Sequence, residues 1–315
     1  MKLGMVFPGQ GSQSVGMLKG YAGFPEVDAV RAEAAAALGA GFLQLLDEGP
    51  AARLTLTVNT QPAMVTAAIA AYRAWLACGG PAPAIVAGHS LGEYSALVAA
   101  DALHFGDALL LVRFRAQAMQ EAVPEGQGAM AVILGLDDEA ARAACDDAER
   151  GGTAGEVVQA VNFNAPGQVV IAGHKSAVAR AVEACKARGA KRAMPLPVSA
   201  PFHSSLMKPA GGKLRLYLEK CSLLETRIPV INNVDVKEEK DPVKIKDALV
   251  RQAASPVRWA ETIRHMAARG VTHVVECGPG KVLAGLVKRI EPKLQGFAAA
   301  DRATLEQALA AIKGG

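Results

Sequence analysis

The sequence lacks the cysteine spacing that a disulfide framework or a zinc site requires. It has five cysteines in 315 residues, an odd number, and no two of them form a CxxC pair. They are Cys78, Cys145, Cys185, Cys221 and Cys277. Disulfide-stabilised domains usually carry an even set of cysteines, and zinc sites use short paired spacings. We therefore expect no bound metal and a reducing, cytoplasmic environment.

Long apolar runs and a strong net charge are also missing. No stretch approaches the roughly 20 apolar residues that a membrane span needs. The apolar start of "MKLGMVFPGQGSQ" is interrupted by Pro8 and Gly9, which indicates a first strand rather than a secretion signal. The net charge of +4 is too small to argue for a nucleic-acid partner. These features predict a soluble protein that binds neither a membrane nor nucleic acid.

Most of the chain alternates strands with helices. Residues 2–7 and 84–88 read as buried strands, each followed by helical patterns, and the alternation resumes near the end of the chain. This order predicts a parallel sheet covered by helices. We interpret residues 1–125 and 199–315 as one large α/β-hydrolase-like domain. The sequence predicts no element after residue 291.

Residues 126–198 follow a different order of elements. A strand at "GAMAVILGL" precedes a helix capped by Asp137, and two further strands are joined by the turn-like "NAPG". A helix closed by Gly189 and a last strand complete a βαββαβ pattern, which is the ferredoxin-like motif. We therefore predict a small ferredoxin-like domain inserted into the larger one, with a ligand-binding cleft between them.

The motif "GHSLG" at residues 88–92 matches G-x-S-x-G and lies between a buried strand and a helix. Glycines flank the serine because side chains would clash where a strand turns sharply into a helix. The helix N-terminus also favours negative charge that develops beside it. The motif predicts that Ser90 is a nucleophile. The alternative is a serine that only caps the helix.

A serine hydroxyl needs a base before it attacks. His203, in "SAPFHSSLM", is the first candidate among six histidines, because it lies where the chain leaves the small domain at the predicted cleft. His273, within a strand, is the second candidate. The turn after the strand is expected to point His89 away from Ser90. No acidic residue stands out as the third member of a triad.

Two further features have an ordinary and a functional interpretation. The loop "PGQGSQ" after the first strand exposes backbone N–H groups, which form half of an oxyanion hole or simply a tight turn. Arg115 lies among apolar helical neighbours, so its side chain either reaches the surface or faces an anion. The residues alone leave both alternatives open.

Several separated motifs occur together and in a defined order. They are "FPGQGSQ", "GHSLGEYSALVAA", "NFNAPGQVVIAGH", "PFHSSLMKPA" and "ECGPGKVL". With them the chain closely resembles the bacterial malonyl-CoA:acyl carrier protein transacylases over residues 2–290. The resemblance implies transfer of malonyl from malonyl-CoA to the phosphopantetheine thiol of acyl carrier protein, through a malonyl-serine and without a cofactor. It also implies a place in fatty acid synthesis.

The resemblance assigns roles in the chemistry. It implies that Ser90 carries the acyl group and that His203 is the general base and acid. The backbone N–H groups of Gln10 and Leu91 resemble the oxyanion hole of the family.

The resemblance also assigns residues around the substrate. It implies that Arg115 binds the malonyl carboxylate, and that the main-chain carbonyl of Gln252 orients the histidine. Asn164 corresponds to a position that lines the cleft. Phe202 stands where many bacterial members have a small residue. Its ring is expected to favour malonyl over methylmalonyl by roughly 1–3 kcal/mol.

Acidic carrier proteins lead us to expect a basic rim at the cleft. The candidates are Lys186, Arg188, Lys191, Arg192, Lys288 and Arg289. Ordinary solvated helix ends are the alternative for each of them. For the whole chain, the competing functions are a serine hydrolase or thioesterase acting on acyl-CoA, and a non-catalytic module that binds acyl-CoA or carrier protein.

Overall fold

The computed structural model describes residues 1–198 and 200–314, which form ten strands and thirteen α-helices. The strands are β1 (Leu3–Phe7), β2 (Ile85–Gly88), β3 (Gly128–Leu134), β4 (Val158–Ala165), β5 (Gln168–His174), β6 (Arg192–Pro195), β7 (Val230–Ile231), β8 (Glu238–Glu239), β9 (His273–Cys277) and β10 (Gln295–Ala299). They form two separate sheets.

The helices cover both sheets. They are α1 (Pro25–Leu38), α2 (Ala40–Glu48), α3 (Ala51–Leu54), α4 (Thr57–Ala77), α5 (Gly92–Ala99), α6 (Phe105–Glu121), α7 (Asp138–Arg150), α8 (Lys175–Ala187), α9 (Lys208–Glu219), α10 (Pro242–Gln252), α11 (Trp259–Ala268), α12 (Val282–Ile290) and α13 (Arg302–Lys313). In the described part of the chain, no helix combines the length and apolar character that crossing a bilayer requires.

The larger sheet has the order β10-β9-β1-β2-β7-β8 and is parallel except for β8. Along β1, Met5 and Phe7 pack into one apolar core and Val6 into a second core on the opposite face. Successive strand residues point to opposite faces, so a strand buried throughout needs a helical layer on each side. The predicted parallel sheet between helices is confirmed.

The carboxyl ends of β1, β2 and β7 bring distant parts of the sequence together. β2 pairs in parallel with β1 on one side and with β7 on the other. Gln10, Ser90 and Asn233 follow these three strands within a few residues. Because parallel strands end at the same edge of a sheet, these residues converge there, where α/β proteins usually bind ligands.

The smaller sheet is antiparallel and has the order β4-β5-β3-β6. Helices α7 and α8 cover one of its faces and share a core with it, which includes Ile133, Cys145 and Ile171. The predicted cap of α7 is present, since the side chain of Asp137 accepts a hydrogen bond from the backbone of Ala140. The βαββαβ order of the insertion is therefore confirmed. The predicted domain boundaries stay an interpretation, and residue 199 lies outside the described residues.

One strand of the small sheet is hydrogen-bonded to the large unit. Val257 donates its N–H to the carbonyl of Val161 at 2.8 Å and accepts from the N–H of Phe163 at 3.0 Å. These bonds join β4 to the segment that follows α10. The wall of the cleft is therefore held by backbone contacts as well as by side chains.

Some elements differ from the sequence-based expectation. β10 and α13 form in the region after residue 291, for which no element was predicted, and β10 extends the large sheet beside β9. β10 contains glycine and a single large apolar residue, so pairing with β9 decides its structure rather than propensity. Helices α2 and α3 and the short β8 were not predicted either. A short 3-10 turn at Ser205–Met207 precedes α9, which begins at Lys208.

The contact between β1 and α5 yields a testable prediction. A Cβ added at Gly92 would lie 2.0 Å from the carbonyl oxygen of Phe7, whereas one added at Gly106 meets nothing within 4 Å. We expect Gly92→Ala to lower the free energy of unfolding by about 3 kcal/mol or more, because backbone atoms must move apart. Gly106→Ala, in α6, should instead be neutral or stabilising by about 1 kcal/mol. Denaturant unfolding of both variants tests this, and equal stabilities would contradict it.

Candidate active site

Ser90 lies on a strained turn between β2 and α5. Its φ is +51°, in the left-handed region that residues other than glycine rarely adopt. The turn is held from both sides, since the N–H of Ser90 donates to Asn233 Oδ1 at 2.7 Å and its carbonyl accepts from Gln252 Nε2 at 3.0 Å. Strain of this kind is maintained only where the surroundings fix it, and it is common at active sites. Capping of the helix alone would not require it.

His203 lies beside this serine. Its Nε2 is 2.7 Å from Ser90 Oγ, and its Nδ1 is 2.9 Å from the main-chain oxygen of Gln252. A carbonyl oxygen can only accept, so Nδ1 carries the proton and Nε2 is free to accept from the serine hydroxyl. His203 also has a left-handed φ, of +66°. The second candidate, His273, instead bonds to Thr272 and stacks on Phe297.

The environment keeps His203 neutral. Burial, together with the nearby charge of Arg115, lowers the pKa of its imidazole to about 3. A neutral imidazole is the form that can take a proton from Ser90. The ring therefore has both the tautomer and the protonation state of a general base.

Arg115 is 1% exposed, so its side chain does not reach the surface. Its guanidinium donates to Gln61 Oε1 at 2.9 Å, to Gln252 Oε1 at 3.0 Å and to Ser90 Oγ at 3.2 Å. All three acceptors are neutral, and among residues 1–198 and 200–314 no carboxylate pairs with it directly. Burial lowers the pKa of this guanidinium. A buried cation with only neutral partners can accept an anionic group beside Ser90.

Two backbone N–H groups lie next to the serine in sequence or in space. Leu91 caps the N-terminus of α5, and Gln10 follows β1 with its side-chain oxygen 2.5 Å from Thr57 Oγ1. Within the described chain, the backbone N–H groups of Gln10 and Leu91 donate no hydrogen bond. Both amides are therefore free for an oxygen that gains charge beside Ser90, as an oxyanion hole requires.

In the described chain, neither Asn164 nor Phe202 makes a side-chain hydrogen bond to Ser90 or His203. The Oδ1 of Asn164 lies 2.8 Å from Nε2 of His89, whose ring packs against Trp259. His89 therefore points away from Ser90, as expected from the turn. Phe202 is buried in the main apolar core immediately before His203.

The cleft between the two sheets reaches the histidine. A cavity of about 350 Å³ is lined by Glu149 and Gln159 from the small unit and by His203, Ser205 and Pro256 from the large one. A larger cavity, of about 830 Å³, lies on the outer side of α10 and does not include Ser90 or His203. The expected cleft is thus present and leads to the site.

The residues of the expected basic rim are exposed, but several already have partners. Lys186 pairs with Glu183, Arg188 pairs with Asp147, and Arg289 donates to Gln168. Lys191, Arg192 and Lys288 are exposed.

Sequence reasoning missed Glu93, Asn233 and Gln61. Their side chains bind Gln252, Ser90 and Arg115, respectively. Glu93 is 2% exposed and accepts from Gln252 and from the backbone of Asn233. Burial raises the pKa of its carboxyl to about 7, against the opposing effect of these bonds and of Arg115. The one available signal was a carboxylate only three residues after Ser90 on a mostly apolar helix.

Comparison with known proteins shows the family of this chain. The family model "Acyl transferase domain" matches residues 5–301. The chain is 55% identical to the malonyl CoA-acyl carrier protein transacylase of Escherichia coli over 305 residues, covering 96% of this chain and 97% of the relative. The chain is a member of the malonyl-CoA:acyl carrier protein transacylase family.

Solved structures of this transacylase family share the fold. The acyl-carrier-protein S-malonyltransferase of Burkholderia pseudomallei superimposes with a TM-score of 0.95 at 61% identity, over 98% of this chain and 99% of that one. A malonyl-transacylase solved in complex with its type II PKS acyl-carrier protein has a TM-score of 0.95 at 51% identity, over the same shares of the two chains.

The burial of His203 yields a prediction about pH. We expect its imidazole to show no titration between about pH 8 and pH 5, whereas an ordinary histidine titrates near pH 6.5. NMR chemical shifts of the ring, assigned by comparison with His203→Gln, measure this.

The lowered pKa of His203 also makes the free energy of unfolding depend on pH. The unfolded chain takes up this proton near pH 6.5 and the folded chain only near pH 3, so the stabilisation is present above about pH 6.5. It is lost as the pH falls toward 3. A His203 titration midpoint near pH 6.5 would contradict the assignment of a buried, neutral ring.

Proposed function

We propose that this chain transfers the malonyl group from malonyl-CoA to the phosphopantetheine thiol of acyl carrier protein, through a malonyl-Ser90 intermediate. The reaction supplies extender units for fatty acid synthesis. The observation that carries the proposal is a buried arginine that has no carboxylate partner among the described residues. It lies 3.2 Å from the hydroxyl of a serine that is paired with a neutral histidine. An acyl group that ends in a carboxylate fits this arrangement.

In the first half-reaction, Ser90 Oγ attacks the thioester carbonyl of malonyl-CoA while its proton passes to His203 Nε2. The tetrahedral intermediate then collapses, the C–S bond breaks, and the proton on His203 goes to the departing thiolate. Gln252 stabilises the imidazolium formed in between, because its carbonyl accepts the Nδ1–H. Proton transfer by such a group contributes about 10²–10⁴ in rate.

In the second half-reaction, His203 takes the proton of the carrier thiol, whose sulfur attacks the malonyl-Ser90 ester. The C–O bond breaks and Ser90 Oγ recovers the proton. Side chains and backbone groups perform every step, so the cycle needs no cofactor. The N–H groups of Gln10 and Leu91 are proposed to bind the oxyanion in both halves, each contributing roughly 10²–10³.

Arg115 and Phe202 are proposed to select the acyl group. With an acetyl group, the guanidinium would remain buried without an anion, so binding energy available to malonyl is lost. The ring of Phe202, next to the base, is proposed to crowd an α-methyl substituent. Asn164 is proposed to support the cleft wall through His89.

The acidic carrier protein is proposed to dock on the exposed basic residues Lys191, Arg192 and Lys288. Lys186, Arg188 and Arg289 already bind groups of this chain, so they contribute less to such a surface.

The covalent intermediate is directly testable. Mixing the protein with malonyl-CoA should give a mass increase of one malonyl group, absent in Ser90→Ala and retained in the control Ser14→Ala, which alters an exposed serine. Intact-mass spectrometry measures it, and added carrier protein should remove the group from the enzyme. Rapid release of free malonate would indicate a hydrolase instead. Absence of any adduct would indicate a non-catalytic binding module.

The role of Arg115 predicts a change in selectivity. Arg115→Ala should reduce kcat/KM for malonyl-CoA by on the order of 10²–10³, because the substrate carboxylate loses its partner in a buried site. Activity with acetyl-CoA should change far less. Arg113→Ala, which removes an exposed arginine from the same helix, should leave both unchanged. A malonyl preference that survives Arg115→Ala would overturn this role.

A further inference from the structure

Glu93 is a buried carboxylate that the proposed cycle does not use. It lies on α5, one turn after Ser90, and is 2% exposed. Burying a carboxylate costs free energy unless its hydrogen bonds are satisfied, so its partners indicate what it is there to hold.

One oxygen of Glu93 has two N–H partners. Its Oε2 accepts from Gln252 Nε2 at 2.8 Å and from the backbone N–H of Asn233 at 2.9 Å. A carboxylate oxygen accepts, and so does the carbonyl oxygen of a protonated carboxyl. When Glu93 is ionised, the nitrogen of the Gln252 amide must therefore face it, and the same nitrogen also donates to the carbonyl of Ser90 at 3.0 Å.

This orientation determines which atom of Gln252 faces Arg115. With Nε2 directed at Glu93, Oε1 lies 3.0 Å from Arg115 Nη2 and accepts a hydrogen bond from it. If the amide turned over, its NH₂ group would face the guanidinium, and two donors would oppose each other. Gln252 also stands between the carboxylate and the guanidinium, which leaves Arg115 without a direct anionic partner.

The contact with Asn233 supports the serine. The side chain of Asn233 accepts from the N–H of Ser90 and donates to the carbonyl of Gly88, both at 2.7 Å. Glu93 is therefore linked through Asn233 to the backbone of Ser90. Through Gln252 it is linked to His203 and to the guanidinium of Arg115.

We propose that Glu93 is a positioning residue for acyl-group selection. Together with the carbonyl of Ser90, which binds the same nitrogen, it holds the Gln252 amide in the orientation that presents Oε1 to Arg115. The inference rests on the proposed malonyl transfer. If Glu93 only stabilised the turn, its replacement would lower the rates with malonyl and acetyl groups alike. A positioning role predicts a larger loss with malonyl.

The test is the ratio of kcat/KM for malonyl-CoA to that for acetyl-CoA. Glu93→Gln keeps an oxygen that can accept both N–H groups, so its ratio should stay within about threefold of the unaltered enzyme. Glu93→Leu removes the acceptor, and its ratio should fall by about ten- to a hundredfold. Glu93→Asp, whose oxygen falls short of Gln252, should lower the ratio in the same direction and serves if the leucine variant does not fold.

A matched control variant and a double-mutant cycle complete this experiment. Glu276 is also fully buried, and it holds the start of α12 through the N–H of Ala284. Glu276→Gln should therefore alter thermal stability but leave the ratio unchanged. Gln252→Ala keeps the main-chain carbonyl and should lower the ratio. Adding Glu93→Asp to it should lower the ratio no further, because contacting residues that act through one bond are not additive.

The outcomes separate this inference from the function on which it rests. If the unaltered enzyme forms no malonyl adduct, the proposed function fails and the inference with it. If the adduct forms but Glu93→Leu or Glu93→Asp keeps the original ratio, only the role of Glu93 is overturned. A ratio that falls equally in Glu276→Gln would also overturn it, because selectivity would then follow general destabilisation.

Discussion

The site depends on the hydrogen bond from Nδ1 of His203 to the main-chain oxygen of Gln252. This contact sets the tautomer of the ring, and hence leaves Nε2 as the acceptor for the hydroxyl of Ser90. A neutral carbonyl serves here where many serine enzymes use an acid. A carboxylate at this place would compete for the guanidinium of Arg115, so an uncharged orienting group keeps that cation available.

Polar contacts from distant segments hold two residues with strained backbone angles in place. Ser90 and His203 both have left-handed backbone angles, which cost about 1–3 kcal/mol each outside glycine. Asn233 and Gln252 hold Ser90 through its N–H and its carbonyl, and Glu93 binds both of them. The strain is therefore balanced by a buried polar network whose members satisfy one another.

Much of the architecture could be predicted because local patterns carry it. Alternating strands and helices indicated the parallel sheet, and the βαββαβ order indicated the inserted unit. The glycines around Ser90 indicated a turn in which no side chain fits, and Gly92 indeed lies against the backbone of Phe7. Weakly patterned segments were missed, since β10 forms only by pairing with β9. Glu93 was missed because a single carboxylate on an apolar helix does not show which distant groups it binds.

By itself, the sequence determined the turn at Ser90 and most of the order of helices and strands. These follow from backbone sterics and from the periodicity of apolar residues over short spans. Only the tertiary structure decided which histidine meets the serine, that Arg115 turns inward, and that Gln252 links them. Those contacts join residues 113 and 162 positions apart. Ser90 follows a strand of the parallel sheet, whereas His203 lies in a loop and Gln252 ends a helix, so only the packing of the whole fold brings them together. No short-range pattern records such pairings.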